Sequence, residues 1–119
     1  DPATLWSAMR HNLAAHMIHD PSAIDAVALE AHRASCAATR FRSKHISHAA
    51  LLAPILRSIE APVLLVWGEH DLTTSPEEAA RALAGSRAGI SWRIVPAAGH
   101  WAQYERPDAV NELLLGWLP

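Results

Sequence analysis

The sequence predicts an α/β fold in which a helical region precedes a strand–helix–strand–helix unit with parallel strands. Two observations support this prediction. Residues 1–60 contain helix-starting residues followed by apolar residues at helical spacing. After them, the apolar runs Pro62–Trp67 and Trp92–Val95 are separated by a segment of helical character. Strands that alternate with helices in this way form parallel βαβ units.

Length and composition describe an ordinary globular chain and exclude several partners. The chain has 119 residues, 50% of them hydrophobic and 18% charged, which fits one domain or a piece of one. The net charge is −2, with acidic and basic residues interleaved, so we expect neither a nucleic-acid nor a membrane partner. The single cysteine, Cys36, excludes an internal disulfide and favours the cytoplasm. Because Asp1 opens directly into a helical pattern without Met, we expect a fragment of a longer protein.

The first sixty residues contain three predicted helices. Asp1 and Pro2 are typical of a helix start, and Asp20 with Pro21 repeats the signal for a second helix that ends near Arg40. A third segment, 47–59, is either a helix interrupted by Pro54 or a short helix and a connector. The predicted buried faces are Leu5, Met9, Leu13, Met17 and Ile18 in the first helix, and Ile24, Val27, Ala28, Ala31, Ala34 and Ala38 in the second.

The second half of the chain is predicted to form a strand, a helix, a second strand and a second helix. The run Pro62–Trp67 ends at Gly68 and is typical of a strand buried on both faces. The next helix begins at Ser75 with a Ser-x-x-Glu capping box and ends at Gly85, and the last helix spans 107–118 with Val110, Leu113, Leu114 and Trp117 facing inward. Two parallel strands make no stable sheet alone, so we expect a missing half of the same fold or self-association through the exposed strand edge.

Two chemically active side chains follow the two predicted strands. Asp71 lies just beyond the first strand and His100 beyond the second, at the edge of a parallel sheet where ligands bind. Neighbouring strands lie about 4.8 Å apart, so the two loops can touch. An aspartate in contact with a histidine can hold the imidazole in one tautomer and stabilise its protonated form. The alternative is that Asp71 caps a turn and His100 is an ordinary loop histidine.

The residues around this pair resemble a known superfamily. The stretch 62–71 followed by Pro76, and the stretch 99–107 (GHWAQYERP), are similar to the last two strands of the α/β-hydrolase superfamily. The resemblance implies that Asp71 is the acid and His100 the base of a catalytic triad, without a cofactor. The GHWAQYE stretch is closer to the meta-cleavage product hydrolases, which cleave carbon–carbon bonds of ring-cleavage diketones. That likeness implies that Trp101 lines the substrate pocket.

The resemblance also implies a division of the chain. Residues 1–60 then correspond to the helical cap region and a connector, and residues 61–119 to the C-terminal βαβα segment of the core. In the carbon–carbon hydrolases a cap arginine binds a substrate carboxylate, which points to Arg33, although a shift of one residue would exchange it with His32. The alternative is that Arg33 is a solvated surface residue. The basic loop 40–45 either faces the cleft or is a solvated connector.

The chain lacks a nucleophile in the expected place. None of its glycines forms a Gly-x-Ser-x-Gly turn, so a triad serine and the oxyanion-hole donors would come from the missing half. We therefore expect a parent enzyme acting on a small-molecule substrate, a small apolar ester or a ring-cleavage diketone, and no activity from this chain alone. The competing hypothesis is a non-catalytic, self-associating chain.

We expect no metal site and a buried, apolar Cys36. The histidines outside the site are expected to lie on the cap surface: His11, His16, His19, His32, His45 and His48.

Overall fold

The computed structural model describes residues 1–41 and 51–119, and these residues form helices around a parallel strand pair. The basic loop beyond Phe41, with His45 and His48, lies outside the described residues, as does the start of the predicted third helix. The elements are α1 (Pro2–His16), a 3-10 turn (Pro21–Ala23), α2 (Ala26–Ala38), α3 (Leu52–Ser58), β1 (Val63–Gly68), α4 (Pro76–Ala84), β2 (Ile90–Val95), α5 (Ala102–Glu105) and α6 (Pro107–Trp117). None of the described helices combines the length and the hydropathy that crossing a bilayer requires.

The predicted βαβ unit is confirmed. β1 and β2 pair in parallel, in a register that runs from Val63 opposite Ile90 to Gly68 opposite Val95, and α4 connects them. The prediction that β1 is buried on both faces is wrong for this chain, because 63–67 are only half-buried and only Gly68 is buried. Within the described residues the sheet has two strands, so no further strand covers the free edge of either.

The second helix begins later than the sequence predicts. Asp20 does accept a hydrogen bond at a helical start, from Ser22 N at 2.9 Å, but the turn it caps ends at Ala23. The helix itself starts after Asp25, whose Oδ1 accepts from Ala28 N at 2.9 Å, and it ends at Ala38, close to the predicted end near Arg40. Asp20 thus caps the 3-10 turn and Asp25 caps α2, whereas the prediction treated the two elements as one helix.

The buried face of α2 is smaller than the sequence predicts. The core of the helical region consists of Leu13, Ile18, Ile24 and Ala28, with Met17, Leu29, Trp101 and Tyr104 packed against it. Leu5 is exposed, and so is Cys36, which we expected to be buried. The alanine stripe is also largely wrong, since these residues of the predicted face are exposed: Val27, Ala31, Ala34 and Ala38.

The C-terminal helices follow the prediction more closely. α4 begins after Ser75 and ends at Ala84 with Gly85 as its C-cap, in agreement with the prediction, but the Ser75 side chain makes no capping hydrogen bond. Val110 of α6 joins a second core with Val95, Ala98 and Ala102, whereas Leu114 and Trp117, predicted to face inward, are exposed. The short helix α5 has no counterpart in the prediction. α3 contains Pro54 in its first turn, where proline removes no helical hydrogen bond.

Candidate active site

The loops that follow β1 and β2 are joined by backbone hydrogen bonds. Glu69 N donates to Val95 O at 2.9 Å, and His70 N donates to Ala98 O at 2.8 Å. The Glu69 carboxylate also accepts from Ala97 N at 2.9 Å. These contacts fix the two strand ends side by side, so any side chains they carry are held in a defined relative position.

Gly68 permits the close approach of these loops. A Cβ atom at this position would lie 2.0 Å from the Gly99 carbonyl oxygen and 2.4 Å from that of Ala98. Both obstacles are backbone atoms, which cannot rotate away. Any larger residue at position 68 would therefore push the His100 loop away from the end of β1.

Asp71 and His100 are in direct contact. His100 Nδ1 lies 2.9 Å from Asp71 Oδ2. Asp71 is the buried charged residue of the described chain, at 6% exposure, whereas the His100 side chain is 42% exposed. The predicted juxtaposition of the two strand-end residues is therefore present. A buried carboxylate behind an accessible imidazole is the arrangement that an acid–base pair requires.

Asp71 also accepts hydrogen bonds from Thr73, a residue that sequence reasoning did not single out. Thr73 N and Thr73 Oγ1 lie 2.8 Å and 2.7 Å from Asp71 Oδ1. Burial by itself raises the pKa of Asp71, but the hydrogen bonds from Thr73 and His100 outweigh it and hold that pKa below its usual value. Asp71 is therefore ionised at neutral pH.

Glu105 anchors the His100 loop to the helical region. One carboxylate oxygen accepts from Gly99 N at 2.6 Å, and the other accepts from Asp20 N at 2.9 Å. Trp101 N adds a backbone hydrogen bond to Met17 O at 2.9 Å. Sequence reasoning missed this role of Glu105, although its place in the GHWAQYE stretch was the available signal.

Trp101 is half-buried between the helical region and the His100 loop. Its ring meets the edge of Tyr104, with centroids 6.0 Å apart, and that of His32, with centroids 6.4 Å apart. Arg33 instead forms an ion pair with Glu30 on the same helix, in which its Nε donates to the Glu30 carboxylate at 2.8 Å. The structure thus brings His32, rather than Arg33, to Trp101.

A cleft of about 420 Å³ lies beside the acid–base pair, with Asp71 and Gly99 in its wall. The imidazoles of His19 and His70 stack at its border, with ring centroids 3.7 Å apart. No group of three or more His, Cys, Asp or Glu side chains within residues 1–41 and 51–119 is arranged to hold a metal ion.

The parallel strand pair and the residues at its carboxyl edge agree with what sequence comparison finds. The profile of the Alpha/beta hydrolase family matches residues 1–113, so this chain belongs to the Alpha/beta hydrolase family. The chain is also similar over part of its length to individual hydrolases, which confirms the predicted resemblance to meta-cleavage product hydrolases.

Two such relatives carry the same name. The chain is 43% identical over 65 residues to the 2-hydroxy-6-oxononadienedioate/2-hydroxy-6-oxononatrienedioate hydrolase of Klebsiella pneumoniae subsp. pneumoniae. It is 42% identical over 65 residues to the enzyme of that name from Escherichia coli (strain 55989 / EAEC). Each alignment covers 55% of this chain and 22% of the relative. The matched segment therefore spans about a fifth of those enzymes.

Proposed function

We propose that this chain provides the acid and the base of a serine-type hydrolase, with Asp71 as the acid and His100 as the base. The observation that supports this most is the 2.9 Å contact between a buried carboxylate and an accessible imidazole at the carboxyl edge of the sheet. The serine nucleophile and the oxyanion donors come from protein outside these 119 residues. The helical region, 1–60, is the cap of this enzyme, and the cytoplasm is its location.

The proposed chemistry is general acid–base catalysis of acyl transfer. An ionised carboxylate can only accept a hydrogen bond, so His100 Nδ1 carries the proton that it shares with Asp71. His100 Nε2 then takes the proton of the serine hydroxyl as the hydroxyl attacks a carbonyl carbon, and returns it to the leaving group. Asp71 stabilises the imidazolium that exists between the two transfers.

The proposed substrates are ring-cleavage diketones, with small apolar esters as the other class. The relatives' names specify hydrolases of 2-hydroxy-6-oxo dienedioates and trienedioates, which carry a carboxylate at each end. Trp101 supplies an apolar wall next to His100. Arg33 binds one substrate carboxylate in this proposal, which requires it to leave Glu30.

Kinetics of the longer protein that contains this chain test the proposed roles. We expect His100→Ala to lower kcat by about 10³-fold or more, and Asp71→Ala by a comparable factor. His11→Ala, at an exposed position on α1, serves as the matched control and leaves kcat unchanged. Turnover in His100→Ala close to that of the unmodified protein would refute the proposal.

The apolar surface that the chain exposes favours a second candidate function. Its large exposed hydrophobic residues include Leu52 and Ile55 of α3 and Leu115 of α6, and each strand has a free edge within the described sheet. The alternative proposal is a self-associating chain without catalysis. Light scattering coupled to size exclusion separates the two, because a monomer that remains folded contradicts self-association.

A further inference from the structure

The Thr73 side chain contacts both members of the proposed acid–base pair. Its hydroxyl oxygen lies 2.7 Å from Asp71 Oδ1 and 3.2 Å from His100 Nδ1. Thr73 N donates to the same Oδ1 at 2.8 Å, which leaves Asp71 Oδ2 for His100 at 2.9 Å. The three side chains therefore form a closed ring of polar contacts.

The protons available to this ring determine the direction of each hydrogen bond. A threonine hydroxyl has one proton to donate, and an ionised carboxylate has none. The Thr73 proton must point to Asp71 Oδ1, because that oxygen can only accept. Toward His100 the Thr73 oxygen can then only accept. His100 Nδ1 consequently faces two acceptors, Asp71 Oδ2 and Thr73 Oγ1.

We propose that Thr73 is a positioning residue that, together with Asp71, fixes the proton of neutral His100 on Nδ1. A histidine held in this way keeps its lone pair on Nε2, the atom that a general base uses. The usefulness of this tautomer rests on the function proposed above, but the tautomer itself is a property of the described residues. The lowered pKa of Asp71 agrees with the acceptor-only carboxylate that the argument requires.

Removing the hydroxyl separates this role from a merely structural one. Thr73→Val keeps the shape of the side chain and the backbone N–H but removes the acceptor and the donor. Thr73→Ser keeps the hydroxyl. Thr74→Val is the matched control, because Thr74 is an exposed neighbour of the same residue type. Thr73 is itself exposed, so these changes create no cavity.

The direct measurement is the protonation of the two ring nitrogens of His100. The chain is labelled with ¹⁵N-histidine, and long-range ¹H–¹⁵N spectra are recorded well above the ordinary histidine pKa of about 6.5. The His100 signals are identified by their absence in His100→Gln. We expect a protonated Nδ1 and an unprotonated Nε2 in the unmodified chain, in Thr73→Ser and in Thr74→Val.

Thr73→Val is expected to move the averaged ¹⁵N shifts of both nitrogens toward those of a tautomer mixture. Identical shifts in Thr73→Val and the unmodified chain would overturn the proposal, and so would an unmodified chain with the proton on Nε2. If circular dichroism shows that Thr73→Val is unfolded, Thr73→Ala gives the same readout with a smaller side chain.

Activity of the longer protein provides a second readout. Thr73→Val is expected to lower kcat about tenfold with KM unchanged, and Thr73→Ser to restore it. A lower kcat in Thr74→Val as well would contradict a specific role for Thr73. The two proposals fail separately: a fully active His100→Ala refutes the proposed function, whereas the ring-nitrogen shifts still decide the role of Thr73.

Discussion

The Tyr104 hydroxyl donates a hydrogen bond to Asp25 Oδ1, the oxygen that also caps α2. Tyr104 lies on the short helix α5 that follows the proposed catalytic histidine, and Asp25 lies at the start of the helix that carries His32 and Arg33. The hydrogen bond lowers the pKa of Asp25 and raises that of Tyr104, because each partner is stabilised in its bonded form. The helical region and the His100 loop are therefore linked by a titratable contact.

The first prediction concerns this contact and its pH dependence. Because the pKa of Asp25 is lowered, its carboxylate stabilises the fold above pH 3.8, and this stabilisation is lost as the pH falls through the lower, folded pKa. Because the pKa of Tyr104 is raised, its protonated hydroxyl stabilises the fold below pH 10.0, and this stabilisation is lost as the pH rises through the higher, folded pKa. Tyr104→Phe should thus lower the melting temperature most between these limits and flatten both limbs of its pH profile. Gln103→Ala, exposed on the same helix, should leave the profile unchanged.

The second prediction concerns the bridge made by Glu105. Glu105→Gln preserves the size of the side chain but replaces one acceptor oxygen with an NH₂ group. That group would face the N–H of Gly99 or of Asp20, so one backbone donor loses its partner. We expect a loss of about 1–3 kcal/mol in the free energy of unfolding, measured by urea denaturation. Glu112→Gln, exposed on α6, is the control, and an equal loss there would contradict a specific role for the bridge.

The contact between Asp71 and His100 could be predicted from the sequence, but the residues that hold this pair in place could not. Parallel strands place their carboxyl ends at one edge, so the contact of Asp71 with His100 followed from their positions after each strand. Thr73 and Glu105 could not be predicted in the same way. Their contacts depend on how a loop turns and on how far one element lies from another, and neither is encoded by spacing.

The helical region was less predictable for a related reason. Helix existence follows from periodicity and capping residues, but the buried face depends on the angle at which the chain enters the helix. Ile24 and Ala28 are buried as predicted, but Ala31 and Ala34 are exposed, because nothing in the described residues packs against that side of α2. The half-burial of β1 likewise depends on how many strands and helices pack around it, which local sequence does not describe.

The third prediction uses two glycines in opposite environments. Gly68→Ala places a Cβ atom 2.0 Å from the Gly99 carbonyl oxygen, so the loops must separate. We expect a loss of about 3 kcal/mol or more in the free energy of unfolding. A Cβ atom at Gly116 would meet no atom within 4 Å. Gly116 lies within α6, where alanine is the better helix former, so Gly116→Ala should raise the free energy of unfolding by about 0.5–1 kcal/mol. A Gly68→Ala chain as stable as Gly116→Ala would contradict the close approach.

The fourth prediction follows from the lowered pKa of Asp71. Because the folded chain favours the ionised carboxylate, Asp71 stabilises the fold above its ordinary pKa of 3.8, and this contribution disappears as the pH falls through the lower, folded value. Asp71→Asn removes the titrating group while it keeps an acceptor oxygen for Thr73. The variant should therefore be less stable than the unmodified chain at pH 7, and the difference should shrink steadily as the solution is acidified below pH 4.

Urea unfolding curves recorded from pH 7 down to pH 3 measure that difference directly. Asp108→Asn, at an exposed position in the first turn of α6, provides the matched control for loss of one negative charge. A difference between Asp71→Asn and the unmodified chain that stays constant across this range would show that the carboxylate is not preferentially ionised in the fold. In that case the hydrogen bonds from Thr73 and His100 would not stabilise the carboxylate over the carboxylic acid.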